Sequence, residues 1–217
     1  SAANYSLEST LNTGTITAAP LNLTISKTYN NSASFTSANT YSLSGTTYGS
    51  DGLASAMSIA SGSATVSSVN ASASPYTSLS TNSFVLSNTN YAINGSSTIS
   101  ATINKATLTV TGTSTPNKVY DSGTSATISG GSLSGLASGD TSVTLTQAGS
   151  YSSPNAGTGI SMTMNNSLGG TTASGASAST NYNLTQPTVT GTITPAPLGV
   201  SLVATYNGST TFNLTNA

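Results

Sequence analysis

Seven residues of this 217-residue chain carry a full charge: Glu8, Lys27, Asp51, Lys105, Lys118, Asp121 and Asp140. His, Cys, Arg and Trp are absent. The commonest general base, the thiol nucleophile and the usual zinc ligands are therefore missing. A glycosidase-like carboxylate pair would have to come from four acids scattered along the chain. Repetitive calcium loops need several carboxylates at close spacing, and no two acids here lie within fifteen positions of each other. We therefore assign no catalytic, cofactor-binding or metal residues and expect no enzyme activity. Asp121 follows a repeated tyrosine and reads as a turn residue that accepts a backbone hydrogen bond. Lys27, Lys105 and Lys118 have many Asn neighbours, so a Lys–Asn amide cross-link is conceivable chemically, but there are too few acids to catalyse one in every unit.

The elements that hold these residues come in repeats. Asn-Tyr recurs at Tyr5, Tyr91 and Tyr182, with spacings of 86 and 91 residues. Each is followed by a Thr-Ile run and an Ala-Pro or Ala-Thr-Leu hinge. A second marker keeps the same beat: Lys27-Thr-Tyr29-Asn30, Lys118-Val-Tyr120-Asp121 and Ala204-Thr-Tyr206-Asn207. Such self-similarity signals an array of similar units. The chain divides into the end of one unit (1–19), two complete units (20–105 and 106–195) and the start of another (196–217). Both ends read as cuts through a longer array.

Period-two alternation dominates. Leu21, Leu23 and Ile25 point one way, as do Ile99, Ala101 and Ile103, and Leu108 and Val110. Val189, Gly191 and Ile193 repeat the pattern, and Val143/Leu145 and Ile160/Met162/Met164 add further strands. Gly, Asn, Ser and Pro clusters separate them. The expectation is an all-β chain of tandem Ig-like β-sandwich units, about ninety residues each, stacked end to end. A β-grasp-like unit is the alternative. Residues 54–60 and 168–180 are the only stretches where a short helix fits.

Proline at Pro20, Pro195 and Pro197 stiffens two of the junctions. The junction at Ile103-Asn-Lys-Ala-Thr107-Leu108 lacks proline and is expected to bend more easily. Each unit is expected to bury its own small core. Tyr29, Tyr120 and Tyr206, and likewise Tyr5, Tyr91 and Tyr182, read as core anchors whose hydroxyls reach neighbouring backbone.

Several of these residues resemble a known group. Lys118-Val-Tyr120-Asp121-Ser-Gly, Gly131-Ser-Leu-Ser-Gly-Leu-Ala-Ser-Gly-Asp140, Asn155-Ala-Gly-Thr-Gly, Asn181-Tyr-Asn-Leu and Ile193-Thr-Pro-Ala look like YDG-type repeats. Related MBG repeats share the hinge. In the first unit the corresponding positions read Tyr29-Asn30-Asn31 and Gly49-Ser-Asp51-Gly. The resemblance implies a structural repeat of a large secreted adhesin of Gram-negative bacteria, of the kind often exported by two-partner secretion.

Ser, Thr and Asn make up 104 of the 217 residues, and the net charge is −1. There is no basic footprint for nucleic acid, no polybasic membrane patch and no apolar run long enough for a spanning helix. Little electrostatic repulsion keeps copies apart. The expected role is a mechanical stalk or filament of an extracellular adhesin or surface fibre, supporting adhesion or biofilm formation. The expected partners are neighbouring repeats or copies of the same protein. Alternatives are a glycan-binding module with surface glycans or host or matrix receptors as ligands, and a self-assembling fibre subunit. Nine Asn-x-Ser/Thr sequons (Asn4, Asn22, Asn30, Asn70, Asn94, Asn165, Asn183, Asn207 and Asn213) are candidate sugar sites.

Overall fold

The computed structural model describes residues 14–201, 203, 205 and 208. Glu8, Tyr5 and Tyr206, with Asn4, Asn207 and Asn213, lie outside the described residues. Within them the chain is built from short strands, with one short helix, Ala178–Asn181, and one turn of 3-10 helix, Ala54–Ala56. The 3-10 turn falls inside the stretch 54–60, and the helix begins inside the stretch 168–180 and ends one residue past it.

The opening strand of the first unit, Asn22–Thr28, alternates as its sequence dictates: Leu23, Ile25 and Lys27 turn inward. It lies between two neighbours. Thr40–Ser44 pairs antiparallel with it, Leu23 opposite Leu43. Ile99–Asn104, near the unit's end, pairs parallel with it, Ile103 opposite Lys27. Just before, Ala19 pairs parallel with Tyr91.

The second unit repeats this plan. Ala106–Thr111 lies between antiparallel Ser132–Ser134 and parallel Tyr182–Thr185, with Ala106 opposite Tyr182. Lys118 then pairs parallel with Ile193. Ala19 and Lys27 thus correspond to Ala106 and Lys118, and Tyr91 and Ile103 to Tyr182 and Ile193. One difference is structural. The single strand Asn22–Thr28 becomes two pieces in the second unit, because Gly112 takes a φ of 73° and turns the chain away before Lys118 brings it back.

The all-β expectation is met. The pairing is mixed, with each unit's opening strand parallel to its closing one. Independent interiors are not found. The buried apolar cluster runs from Leu21, Phe35, Ala101 and Ile103 through Tyr29 and Ala71 into Ala106, Leu108, Val143, Ala178 and Tyr182. The second unit keeps a further set of buried groups, Val110, Tyr151, Met164 and Ile193, outside this cluster. The reason lies at the boundary. Ile99–Asn104 and Ala106–Thr111 are separated by Lys105 alone. Only the exposed Asn104 and Lys105 stand between buried Ile103 and buried Ala106, so one unit's inward-facing row is followed almost at once by the next unit's.

Candidate functional site at the unit junction

The repeated Lys-x-Tyr-Asn/Asp motif closes a loop at one end of each unit. Lys27 Nζ donates to Asn30 Oδ1 at 3.0 Å, to Ser34 O at 2.8 Å and to the carbonyl of Ser32. It also sits 5.1 Å from the centre of the Phe35 ring, a cation–π contact. Lys118 repeats the arrangement, donating to Gly123 O at 2.7 Å and Ser125 O at 3.1 Å. Its ion pair with Asp121 Oδ1, at 2.8 Å, stands where Lys27 meets Asn30. Gly123 N–H donates to the same Asp121 oxygen, the turn role expected for that residue. Lys118 and the Gly123 amide hold the Asp121 carboxyl below its ordinary range. Both motifs force the next residue into left-handed backbone: Asn31 has φ 58° and Ser122 φ 64°.

Lys27 is buried, and burial lowers its pKa. Replacing Lys27 with Met keeps the apolar stem but leaves three acceptors without their donor. The expected loss is about 1–3 kcal/mol, read by urea unfolding.

The loop end of the first unit meets the second unit at Asp140. This carboxylate is buried. Its Oδ2 accepts from Tyr29 Oη at 3.0 Å and Tyr182 Oη at 2.6 Å, and its Oδ1 accepts from Ala173 N–H at 2.7 Å. The Tyr29 and Tyr182 rings meet edge to face, centroids 5.3 Å apart. Ala137 N–H donates to Tyr182 Oη at 2.8 Å, and Asn31 Nδ2 donates to Ser138 O at 3.1 Å.

A second node lies beside it. Asn181 is fully buried. Its Oδ1 accepts from Ala71 N–H at 2.8 Å, and its Nδ2 donates to Asn70 Oδ1 at 2.9 Å and to Thr172 Oγ1 at 3.2 Å. Ser174 also donates to Asn70, and Lys105 Nζ caps the Ser179 carbonyl. Charge-assisted and buried bonds of this kind fix geometry. The junction without proline is thus tied across by several side-chain hydrogen bonds.

Burial first, and the bond to Asp140 second, raise the pKa values of Tyr29 and Tyr182. A phenol whose folded pKa is raised adds stability in full below its unfolded value, about 10. That contribution is lost as pH climbs from there toward the folded value. Stability is therefore expected to fall above about pH 10. A Tyr29→Phe/Tyr182→Phe double variant, weaker at neutral pH, should show a shallower alkaline slope in denaturant unfolding.

Asp140 and Tyr182 have counterparts in the first unit. Tyr91 Oη donates to Asp51 Oδ2 at 3.0 Å and accepts from Tyr48 N–H at 2.8 Å. Asn70 and Ala71 likewise have counterparts: Ser68 Oγ accepts from Asn70 N–H at 3.1 Å, and Ser153 Oγ accepts from Asn155 N–H at 3.2 Å. The tyrosine anchors therefore divide. Tyr29, Tyr91 and Tyr182 are buried, as expected, though Tyr29 reaches a carboxylate and not backbone. Tyr120 is not a core anchor; it is 42% exposed.

Residues 104–190 match the YDG domain family model. They form a YDG-type domain. No match was found among curated proteins or among solved structures. The YDG domain contains Lys118, Tyr120, Asp121, Asp140, Asn155 and Tyr182, and the structure sorts them by place. Asp140 and Tyr182 face the first unit. Lys118, Tyr120, Asp121 and Asn155 gather at the loop end that corresponds to the first unit's junction face. Sequence reasoning placed Asp140 among four scattered acids and at the end of a YDG-like segment, and missed its role at the junction. The available signal was the matched register of Asp51 with Tyr91 and Asp140 with Tyr182.

Proposed function

We propose that this chain is a spacer segment of an extracellular adhesin or surface fibre of Gram-negative bacteria, exported by a two-partner-secretion-like route. In this reading, consecutive YDG-like units transmit force through fixed junctions. The observation that carries the reading is the buried Tyr29–Asp140–Tyr182 node. A spacer needs neighbours held at a set angle, and a buried, directional network provides that. Four surface depressions of about 280, 330, 320 and 200 Å³ are lined mainly by Ser, Thr, Asn and Lys with Ala, Leu and Ile, one of them also by Asp121, and none by an aromatic ring. Sugar pockets ordinarily use convergent aromatics, so this lining favours the spacer over the glycan-binding module. The parallel pairing of opening and closing strands favours a β-grasp-like unit over a wholly antiparallel Ig-like sandwich.

Small-angle scattering of the intact chain tests the spacer reading. The expected profile fits two units in one fixed arrangement, with no glycan-array binding. A profile that needs an ensemble of hinge angles, or saturable glycan binding, would count against it.

A further inference from the structure

In each unit the opening and closing strands lie side by side and run the same way. The first unit pairs Ala19–Pro20 with Tyr91–Ala92 and Leu23–Thr28 with Ile99–Asn104. The second pairs Ala106–Thr109 with Tyr182–Thr185 and Lys118–Val119 with Ile193–Thr194. Parallel neighbours begin at the same end of their shared ladder. The chain therefore enters a unit at one end of the pair and leaves it at the other. Tension along the chain draws the two strands past each other lengthwise, and every hydrogen bond between them is strained together. Strands pulled apart from one end would instead lose those bonds one after another.

We propose that this pairing is a mechanical clamp, which makes each unit resist tension along the chain far better than tension in other directions. The first unit shows the clamp in full. Its ladder is closed at both ends: Leu23 N–H donates to Thr98 O at 3.0 Å, and Tyr29 N–H donates to Asn104 O at 2.8 Å. Asn22 Oδ1 accepts from Thr98 N–H at 2.8 Å and adds a side-chain tie at the entry end. The inward row of the pair, Leu23, Ile25, Ile99, Ala101 and Ile103, is buried, so water does not reach that face to replace the bonds as they stretch. The closing strand is also held on its far side. Tyr76 N–H donates to Ala101 O at 2.8 Å, and Ala101 N–H donates to Tyr76 O at 3.0 Å. Load leaves the first clamp at Asn104 and enters the second at Ala106, with Lys105 alone between them. The two clamps thus stand in series along one line of backbone. The inference deepens the spacer reading and rests on it for the source of the tension.

The chain has no cysteine, so pairs of engineered thiols set the pulling points in single-molecule force measurements on the full chain. Thr17, Thr89 and Asn104 are exposed, and thiols there leave the buried row untouched. In T17C/N104C the force acts at opposite ends of the first unit's parallel pair and shears it. In T17C/T89C the force acts at one end, beside the bond from Ala19 N–H to Asn90 O, and peels the strands apart. Forced unfolding reports the unfolding barrier along the pulled direction. At equal loading rate, the rupture force is expected to be several times higher for T17C/N104C. Equal forces, or a higher force for T17C/T89C, would overturn the proposal. Equal forces alongside a fixed two-unit scattering profile would remove only the clamp and leave the spacer reading standing. A higher shear force alongside a hinged profile would keep the clamp and remove the spacer.

Discussion

Asp140→Ala is expected to lower stability by about 2–4 kcal/mol, with the midpoint of denaturant unfolding falling accordingly. The substitution leaves Tyr29 Oη and the Ala173 amide without an acceptor in a buried place. Tyr182 Oη keeps only the Ala137 amide as its partner. Asp140→Asn should recover part of the loss, because one amide oxygen still accepts. Asp51→Ala removes the corresponding acid from the first unit. Asp51 is exposed, so that change should stay within the small range of surface substitutions. A large effect at Asp51 equal to that at Asp140 would show that the acid serves its own unit's turn and not the junction.

Leu108→Ala should cost about 3–5 kcal/mol. Leu108 is fully buried in the cluster that crosses the unit boundary. The more telling result is where the loss is felt. Amide hydrogen exchange should quicken in Ile99–Asn104 of the first unit as well as in Tyr182–Thr185, its own neighbour. Val110→Ala lies two positions on, outside the shared cluster. It should cost less and leave the first unit's exchange unchanged. Confinement of the Leu108→Ala effect to the second unit would mean that the two interiors are energetically separate.

Strand identity was legible in the sequence because alternation and burial obey one rule. Leu21, Leu23 and Ile25 face inward, and so do Ile99, Ala101 and Ile103. The repeat register was legible too, since Lys27 and Lys118 take the same place against Ile103 and Ile193. What alternation cannot give is which strand pairs with which. Parallel pairing of Asn22–Thr28 with Ile99–Asn104 brings together residues far apart in sequence, and no local pattern encodes it. The side-chain ties at the junction were not legible for a related reason. They come from Asp140 and Asn181, whose partners lie in the other unit. A lone acid in a Ser-Gly-Asp turn looks like surface chemistry until the chain folds a tyrosine from the neighbouring unit onto it.

The coupling of the two units is tested most directly by calorimetric unfolding of the intact chain. The structure predicts one transition, with calorimetric and van't Hoff enthalpies in agreement, shifted as a whole to lower temperature by Asp140→Ala. Two resolved transitions in the unaltered chain, with Asp140→Ala moving only one of them, would contradict it.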